Sequence, residues 1–162
     1  MITHSIFPLV LLTGLFTAGT NAGISCNTFP WVGENWFYSK KHFFVSEDVS
    51  YWRNFTENKL ICQVNHRTLA TILTLWVTYA GIGFLKFKNI SGSTRVSIVL
   101  LILSLWGQLA LGVSTIWNSV PISLASAHQI GAMVVFTAFL FALHNVRGVD
   151  VRHIKNMLGK LK

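Results

Sequence analysis

Two histidines, His66 and His128, stand in apolar stretches where an ionisable side chain is unusual. His66 begins the second of four apolar stretches, and His128 lies about two turns into the fourth. Because an ionisable side chain is costly to place within a membrane, such a residue indicates a functional site. Neutral imidazole binds iron, copper and zinc well. The helices offer no carboxylate or thiolate at matching positions, so a tetrahedral zinc site would lack ligands.

A haem needs fewer protein ligands than a tetrahedral zinc ion, because its iron takes only one or two axial ligands within an apolar slot. Small residues lie about one turn on either side of His128, at Ala125, Gly131 and Ala132, and would leave room for a flat macrocycle. The alternative is structural, with each imidazole hydrogen-bonded to a neighbouring helix. The residue types leave both interpretations open.

Polar residues beside the two histidines also fit either interpretation. The guanidinium of Arg67 could bind a carboxylate, such as a haem propionate, or anchor the helix at the lipid headgroups. Gln63, Asn65 and Gln129 could orient an imidazole through its second nitrogen, or solvate the interface. The other four histidines, at positions 4, 42, 144 and 153, fall in termini, a loop or a helix boundary and are expected to be surface residues.

The elements that must position these residues are membrane helices. The chain has 162 residues, of which 52% are hydrophobic and 11% charged. A soluble domain has about 25% charged residues, and disorder requires low hydrophobicity, so composition excludes both classes. We predict an all-α membrane protein whose four transmembrane helices form an antiparallel bundle, at about residues 6–22, 66–85, 96–117 and 122–143. The first stretch also fits the apolar part of a signal peptide, although no basic segment precedes it.

The distribution of charge predicts the topology. The long loop 23–65, between the first two helices, carries equal numbers of acidic and basic residues, whereas the loop 86–95 and the tail 148–162 are basic. The positive-inside rule places the basic segments in the cytoplasm or matrix and the long loop outside. Both histidines then lie toward the outer ends of their helices. Topology accounts for the net charge of +8, which disfavours nucleic acid as a partner. We therefore expect a bundle over residues 1–147 followed by a basic inner tail.

Several short motifs follow one another in an order that is typical of one family. They include Asn27-Thr28-Phe29-Pro30, Gln63-Val64-Asn65-His66-Arg67, Gly112-Val113-Ser114-Thr115, and the run from Val120 to Gln129. Over about residues 9–147 the sequence resembles the C-terminal half of haem A synthase, a membrane enzyme that oxidises a methyl group of haem O to an aldehyde for cytochrome oxidase.

The resemblance implies a protein of two four-helix bundles related by pseudo-twofold symmetry, each with a histidine pair on its second and fourth helices. It implies that this half binds haem b, with His66 and His128 as axial ligands of the iron and Arg67 as a further cofactor-binding residue. The other half binds haem O and carries an acidic residue where this sequence has Gln63. The resemblance therefore implies electron transfer for this half and assigns no catalytic residue within it.

The resemblance also implies partners and a location. These are haem O, membrane lipid, an electron donor that the sequence does not name, and either an N-terminal half or a second copy of the chain. Independently of the resemblance, the small residues Gly14, Ala18, Gly19 and Gly23 predict a packing face for such a partner. The implied location is the mitochondrial inner membrane or, alternatively, a bacterial plasma membrane. A disulfide between Cys26 and Cys62 would suit the oxidising outer side. The competing functions are a non-enzymatic haem b electron carrier or assembly subunit, and a four-pass structural or transport protein without haem.

Overall fold

The computed structural model describes residues 2–33, 50–87 and 90–159. The described chain is helical. Its α-helices are α1 (Ile2–Gly19), α2 (Tyr51–Glu57), α3 (Lys59–Leu85), α4 (Gly92–Trp117) and α5 (Ile122–Gly159), and a turn of 3-10 helix occupies Ala22–Ile24.

Three of these helices are long and apolar enough to cross a membrane: α3, α4 and the stretch Ile122–Val146 of α5. The apolar part of α1, Ile6–Gly19, is shorter. At 1.5 Å per residue, about 20 residues are needed to cross the hydrocarbon core. The prediction of an all-α membrane protein is therefore confirmed, with three long apolar helices and a shorter one.

The boundaries of the elements differ from those predicted in several places. Helix α1 spans Ile2–Gly19 rather than 6–22, and α4 begins at Gly92 rather than near residue 96. Helix α3 begins at Lys59 rather than near His66, because the side chain of Asn58 caps it by accepting hydrogen bonds from the backbone of Leu60 (3.1 Å) and Ile61 (3.3 Å). The predicted outer loop contains α2, and its residues 34–49 lie outside the described residues. Helix α5 continues past residue 143 into the predicted tail, as far as Gly159.

The four long helices share one buried apolar cluster. It contains Phe7 of α1, Leu73 and Val77 of α3, Leu101 and Leu105 of α4, and Val135 and Ala142 of α5. The ring of Phe7 stacks on that of Phe139, with centres 4.4 Å apart and planes within 5°. Helix α1 packs mainly on α3, helix α4 packs mainly on α5, and the contact between α3 and α4 joins the two pairs.

A tight turn joins α4 to α5. It has the two hydrogen bonds of a Schellman motif, from Val120 N to Thr115 O (2.8 Å) and from Ser119 N to Ile116 O (3.1 Å). Ser119 and Val120 have φ values of 57° and 61°, and Pro121 directly precedes α5, where its carbonyl oxygen accepts from Ala125 N (3.0 Å). The turn also contacts the segment after α1. The Asn27 amide donates to Ser119 Oγ (3.0 Å), and a Cβ at Gly23 would lie 3.0 Å from Val120 Cγ2. These contacts hold the two helix pairs together at one end.

The cap of α3 gives a test of this local structure. Replacing Asn58 by Ala should lower the free energy of unfolding by about 1 kcal/mol, because two backbone N–H groups lose their acceptor. Asn58→Ser retains a capping oxygen and should recover part of that loss. Thermal unfolding in detergent, followed by circular dichroism, measures both. An Asn58→Ala protein as stable as the wild type would show that the cap does not stabilise α3.

Candidate functional site

The structure brings the two predicted histidines together. His66 lies on α3 about two turns from its start, and His128 lies on α5. The centres of their imidazole rings are 6.4 Å apart, and the ring planes are inclined at 78°. Both side chains are partly buried between the helices. The juxtaposition follows from the packing of α1 with α3 and of α4 with α5 around one core.

Helix α1 fixes the orientation of His66. Its Nδ1 lies 3.2 Å from the carbonyl oxygen of Val10 and 3.3 Å from Thr13 Oγ1. A carbonyl oxygen only accepts, and the Thr13 hydroxyl itself donates to Val10 O (3.0 Å). We therefore assign the proton of the neutral ring to Nδ1. The Nε2 atom is then unprotonated and carries a lone pair, which is the form that binds a metal.

His128 is held by its backbone rather than by its ring. The side-chain Nε2 of Gln108, on α4, donates to the backbone carbonyl oxygen of His128 (2.8 Å). The ring Nδ1 is buried and has no hydrogen-bond partner among the described residues. The Oε1 of Gln108 is also without a partner there and lies against Gly131 of α5. Thus the Gln108 bond sets the height of His128 along the site, and no hydrogen bond to Nδ1 from the described residues orients its imidazole.

For a metal ion, the site offers one ligand nitrogen from each of the two imidazoles and few other ligand atoms. Within the described residues, no group of three or more histidine, cysteine, aspartate or glutamate side chains is placed to hold a metal ion. Two facing imidazoles can serve as axial ligands to a metal whose remaining ligands come from elsewhere. The same pair cannot by itself complete the four-ligand shell of a structural zinc ion.

Arg67 and Gln63 hold the segment that follows α1 against α3. The guanidinium of Arg67 donates to the carbonyl oxygens of Thr28 and Trp31, at 2.8 Å each. The amide of Gln63 donates to the carbonyl oxygens of Gly23 and Cys26, at 2.9 Å each. Arg67 keeps other N–H groups that these two bonds do not use. Sequence reasoning had no signal for this role, because carbonyl acceptors leave no mark on the sequence.

The two cysteines are free thiols in this structure, and the disulfide suggested by the resemblance is not formed. The thiol of Cys62 donates to the carbonyl oxygen of Phe55 (3.3 Å), whereas Cys26 Sγ lies 3.1 Å from the hydroxyl of Thr28. Partial burial by itself would raise the pKa of the Cys26 thiol. Hydrogen bonds with Thr28 and Gly33, together with the positive charge of Arg67, outweigh burial and lower that pKa.

The matches to known proteins agree with the sequence motifs. Residues 1–140 match the COX15-CtaA family, described as cytochrome oxidase assembly protein. The chain belongs to this family. A "Heme A synthase" of Nitrosospira multiformis is 38% identical over 141 residues, which are 86% of this chain and 38% of that protein. "Heme A synthase COX15" of Arabidopsis thaliana is 36% identical over 92% of this chain and 32% of its own length.

A further relative, "Heme A synthase COX15" of Saccharomyces cerevisiae, is 35% identical over 86% of this chain and 30% of its own length. The chain thus spans about a third of the length of these curated relatives. No solved structure gives a significant match. Membership of the family, together with the three long apolar helices, confirms a multi-pass protein of the mitochondrial inner membrane or the bacterial plasma membrane.

The environment of Cys26 predicts a pH effect. In a Cys62→Ser background, the rate of Cys26 alkylation should reach half its maximum at a lower pH in the folded protein than in the unfolded chain. The reason is that the thiolate is the reactive form of Cys26, and a lowered pKa gives a larger fraction of thiolate at a given pH. Thr28→Val should move the profile to higher pH, whereas Thr137→Val, on α5, should not. Coincident profiles for folded and unfolded protein would contradict the assignment.

Proposed function

We propose that this chain is the haem b-binding part of a haem A synthase, which oxidises a methyl group of haem O to an aldehyde for cytochrome oxidase. The observation that carries the proposal is the pair His66 and His128, with ring centres 6.4 Å apart. Relatives named "Heme A synthase" support the reaction.

The geometry of the pair fits axial ligation of a haem. Imidazole–metal bonds are about 2 Å long, so one metal between two opposed rings places the ring centres roughly 6 Å apart, close to the observed spacing. His66 presents the unprotonated Nε2 that ligation needs. A porphyrin supplies the other four ligands of its iron, which matches a site with two protein donors. The buried Nδ1 of His128, without a partner among the described residues, also fits a ring whose direction is set by a ligand.

In this proposal, His66 and His128 would be the protein ligands of the haem b iron. Haem b bound there would supply one-electron transfer to or from the substrate haem. The carbonyl of Val10 keeps the proton of His66 on Nδ1, and Gln108 holds the backbone of His128 in place. Arg67 binds a propionate with the N–H groups not used by Thr28 and Trp31. Gln63 cannot ionise, so its role is to hold the segment after α1 rather than to transfer a proton.

The proposed architecture is a four-helix antiparallel bundle over residues 1–147, with an outer loop at 23–65 and a basic inner tail at 148–162. The link between Asn27 and Ser119 supports it, because it places the segment after α1 and the turn after α4 at the same end. The proposed partners are membrane lipid, haem O, an electron donor, and an N-terminal half or second copy that would hold the substrate. The matched residues make up 38% of one relative's length and 32% of another's.

A second candidate function is a haem b electron carrier or assembly subunit without enzymatic activity. It is favoured by the same pair of histidine ligands and by glutamine at position 63, which cannot ionise. The two candidates share the cofactor and differ in whether a haem product is formed.

The ligand assignment predicts the result of removing either histidine. Purified protein loaded with haem b should show the absorption spectrum of a low-spin haem with two histidine ligands. His66→Ala or His128→Ala should abolish it, because one axial bond is lost. His144→Ala, on α5 but away from the pair, should retain it. A normal spectrum and haem content in His128→Ala would overturn the assignment.

The division of labour predicts what the chain does without a second unit. Reconstituted with haem b, haem O and a reductant, the chain should bind haem b and form no haem A. Co-expression with a four-helix half that carries its own histidine pair should restore product, measured by chromatography of extracted haems. Product from the 162-residue chain by itself would contradict the division of labour. Haem b binding with no product in either case would favour the electron carrier.

A further inference from the structure

In each of the two helix pairs, a glycine lies directly against the imidazole of the neighbouring helix. A Cβ built on Gly14 of α1 would lie 2.9 Å from Cε1 of His66, and a Cβ built on Gly112 of α4 would lie 2.9 Å from Cε1 of His128. Real Cβ atoms essentially never come this close to another heavy atom. Each ring therefore occupies space that any residue other than glycine would fill.

Among the described glycines, Gly14 and Gly112 are the two whose close neighbour is an imidazole, whereas Gly81 lies close to Ile102 and Gly131 close to Gln108. Gly19 lies on the same helix as Gly14, and Gly107 lies on the same helix as Gly112. A Cβ at either would meet nothing within 4 Å. Each helix thus carries one glycine in contact with a histidine and at least one glycine in open space.

The two helix pairs, α1 with α3 and α4 with α5, have similar residues and hydrogen bonds around this contact. Each glycine is followed three residues later by a threonine, in Gly14-x-x-Thr17 and Gly112-x-x-Thr115. Both threonine hydroxyls donate to the carbonyl four residues earlier on their own helix. Near each glycine, a side chain also donates to a carbonyl of the histidine helix. The Thr17 hydroxyl shares its proton between Thr13 O and Cys62 O (3.0 Å). The side-chain amide of Gln108 donates to His128 O (2.8 Å).

We propose that Gly14 and Gly112 are the positioning residues of the histidine pair. At each glycine the helix backbone carries no side chain, so one imidazole packs directly against it. Together the two contacts set the spacing of the two rings. The inference rests on the proposed function, since it assumes that His66 and His128 act as haem ligands. It adds two residues that touch neither the iron nor each other.

Alanine at either glycine should displace the ring rather than unfold the protein. Ordinary contacts to a Cβ begin at 3.4 Å, so the ring must retreat by about 0.5 Å, which is the tolerance of a functional site. The atom in the way is the tip of a side chain that can rotate, and the helix backbones need not separate. At position 14 the movement also breaks or lengthens the hydrogen bond from His66 Nδ1 to Val10. At position 112 no such bond is present, because Nδ1 of His128 has no partner among the described residues.

The test compares Gly14→Ala and Gly112→Ala with Gly19→Ala and Gly107→Ala in the full chain loaded with haem b. The readouts are the dissociation constant of haem b, the low-spin spectrum and the midpoint potential. We expect Gly14→Ala to weaken haem b binding by about tenfold or more, as is usual for a residue that orients a metal ligand. Gly112→Ala should act in the same direction but less strongly, and the two control variants should match the wild type.

A second measurement on the protein without haem keeps the inference testable if a variant folds poorly. Alanine favours a helix over glycine, so Gly19→Ala should raise the thermal midpoint, and Gly14→Ala should raise it less or lower it. In a His66→Ala background the ring is gone, and Gly14→Ala should then behave like Gly19→Ala. A difference between the two that persists without the ring would overturn the inference.

The outcomes separate the inference from the proposed function. If His66→Ala and His128→Ala abolish the low-spin spectrum while Gly14→Ala and Gly112→Ala bind haem b as the controls do, the positioning role is wrong and the haem site stands. If both histidine variants keep the spectrum, the proposed function is wrong. The thermal comparison in the His66→Ala background then decides the packing role of Gly14 without reference to haem.

Discussion

A polar group between apolar helices must find its partner within the protein, and this constraint shapes the described structure. In lipid no water is available to satisfy it, and helix association depends on close packing and hydrogen bonds. Threonine hydroxyls along α3 donate hydrogen bonds to backbone carbonyls of the same helix, from Thr74 to Ala70 O and from Thr78 to Thr74 O. The ring of His66 and the amide of Gln108 instead bond across a helix interface. These cross-helix bonds, with the glycine contacts, place the two imidazoles within reach of one ligand.

The helices and the histidine pair could be predicted because each has a strong local signal. Uncharged stretches of membrane length mark α3, α4 and α5, and His66 and His128 stand out within them. The start of α3 was missed because a single capping asparagine, Asn58, extends the helix beyond the apolar stretch. Helix α2 was missed because it is short and polar, so neither periodicity nor hydropathy distinguishes it from a loop.

The contacts of the small residues could not be predicted from the sequence, since they depend on which helices become neighbours. Gly14, Ala18, Gly19 and Gly23 were expected to pack against a partner protein. The structure places Gly14 against His66 and Gly23 against Val120, within the chain. Gly19 has no neighbour within 4 Å and Ala18 is exposed, so for these two residues the expectation stays a prediction. The same limit applies to Arg67 and Gln63. Their bonding partners are backbone carbonyls of the segment after α1, and every residue type provides such a carbonyl.

The unequal support of the two imidazoles has a consequence for the electronic character of the site. A hydrogen bond from Nδ1 makes an imidazole a more basic ligand, and His66 has this bond whereas His128 has none among the described residues. A metal held between them would therefore receive more electron density from the α3 side than from the α5 side. An acceptor introduced opposite Nδ1 of His128 would reduce this difference without disturbing the contact that fixes His66.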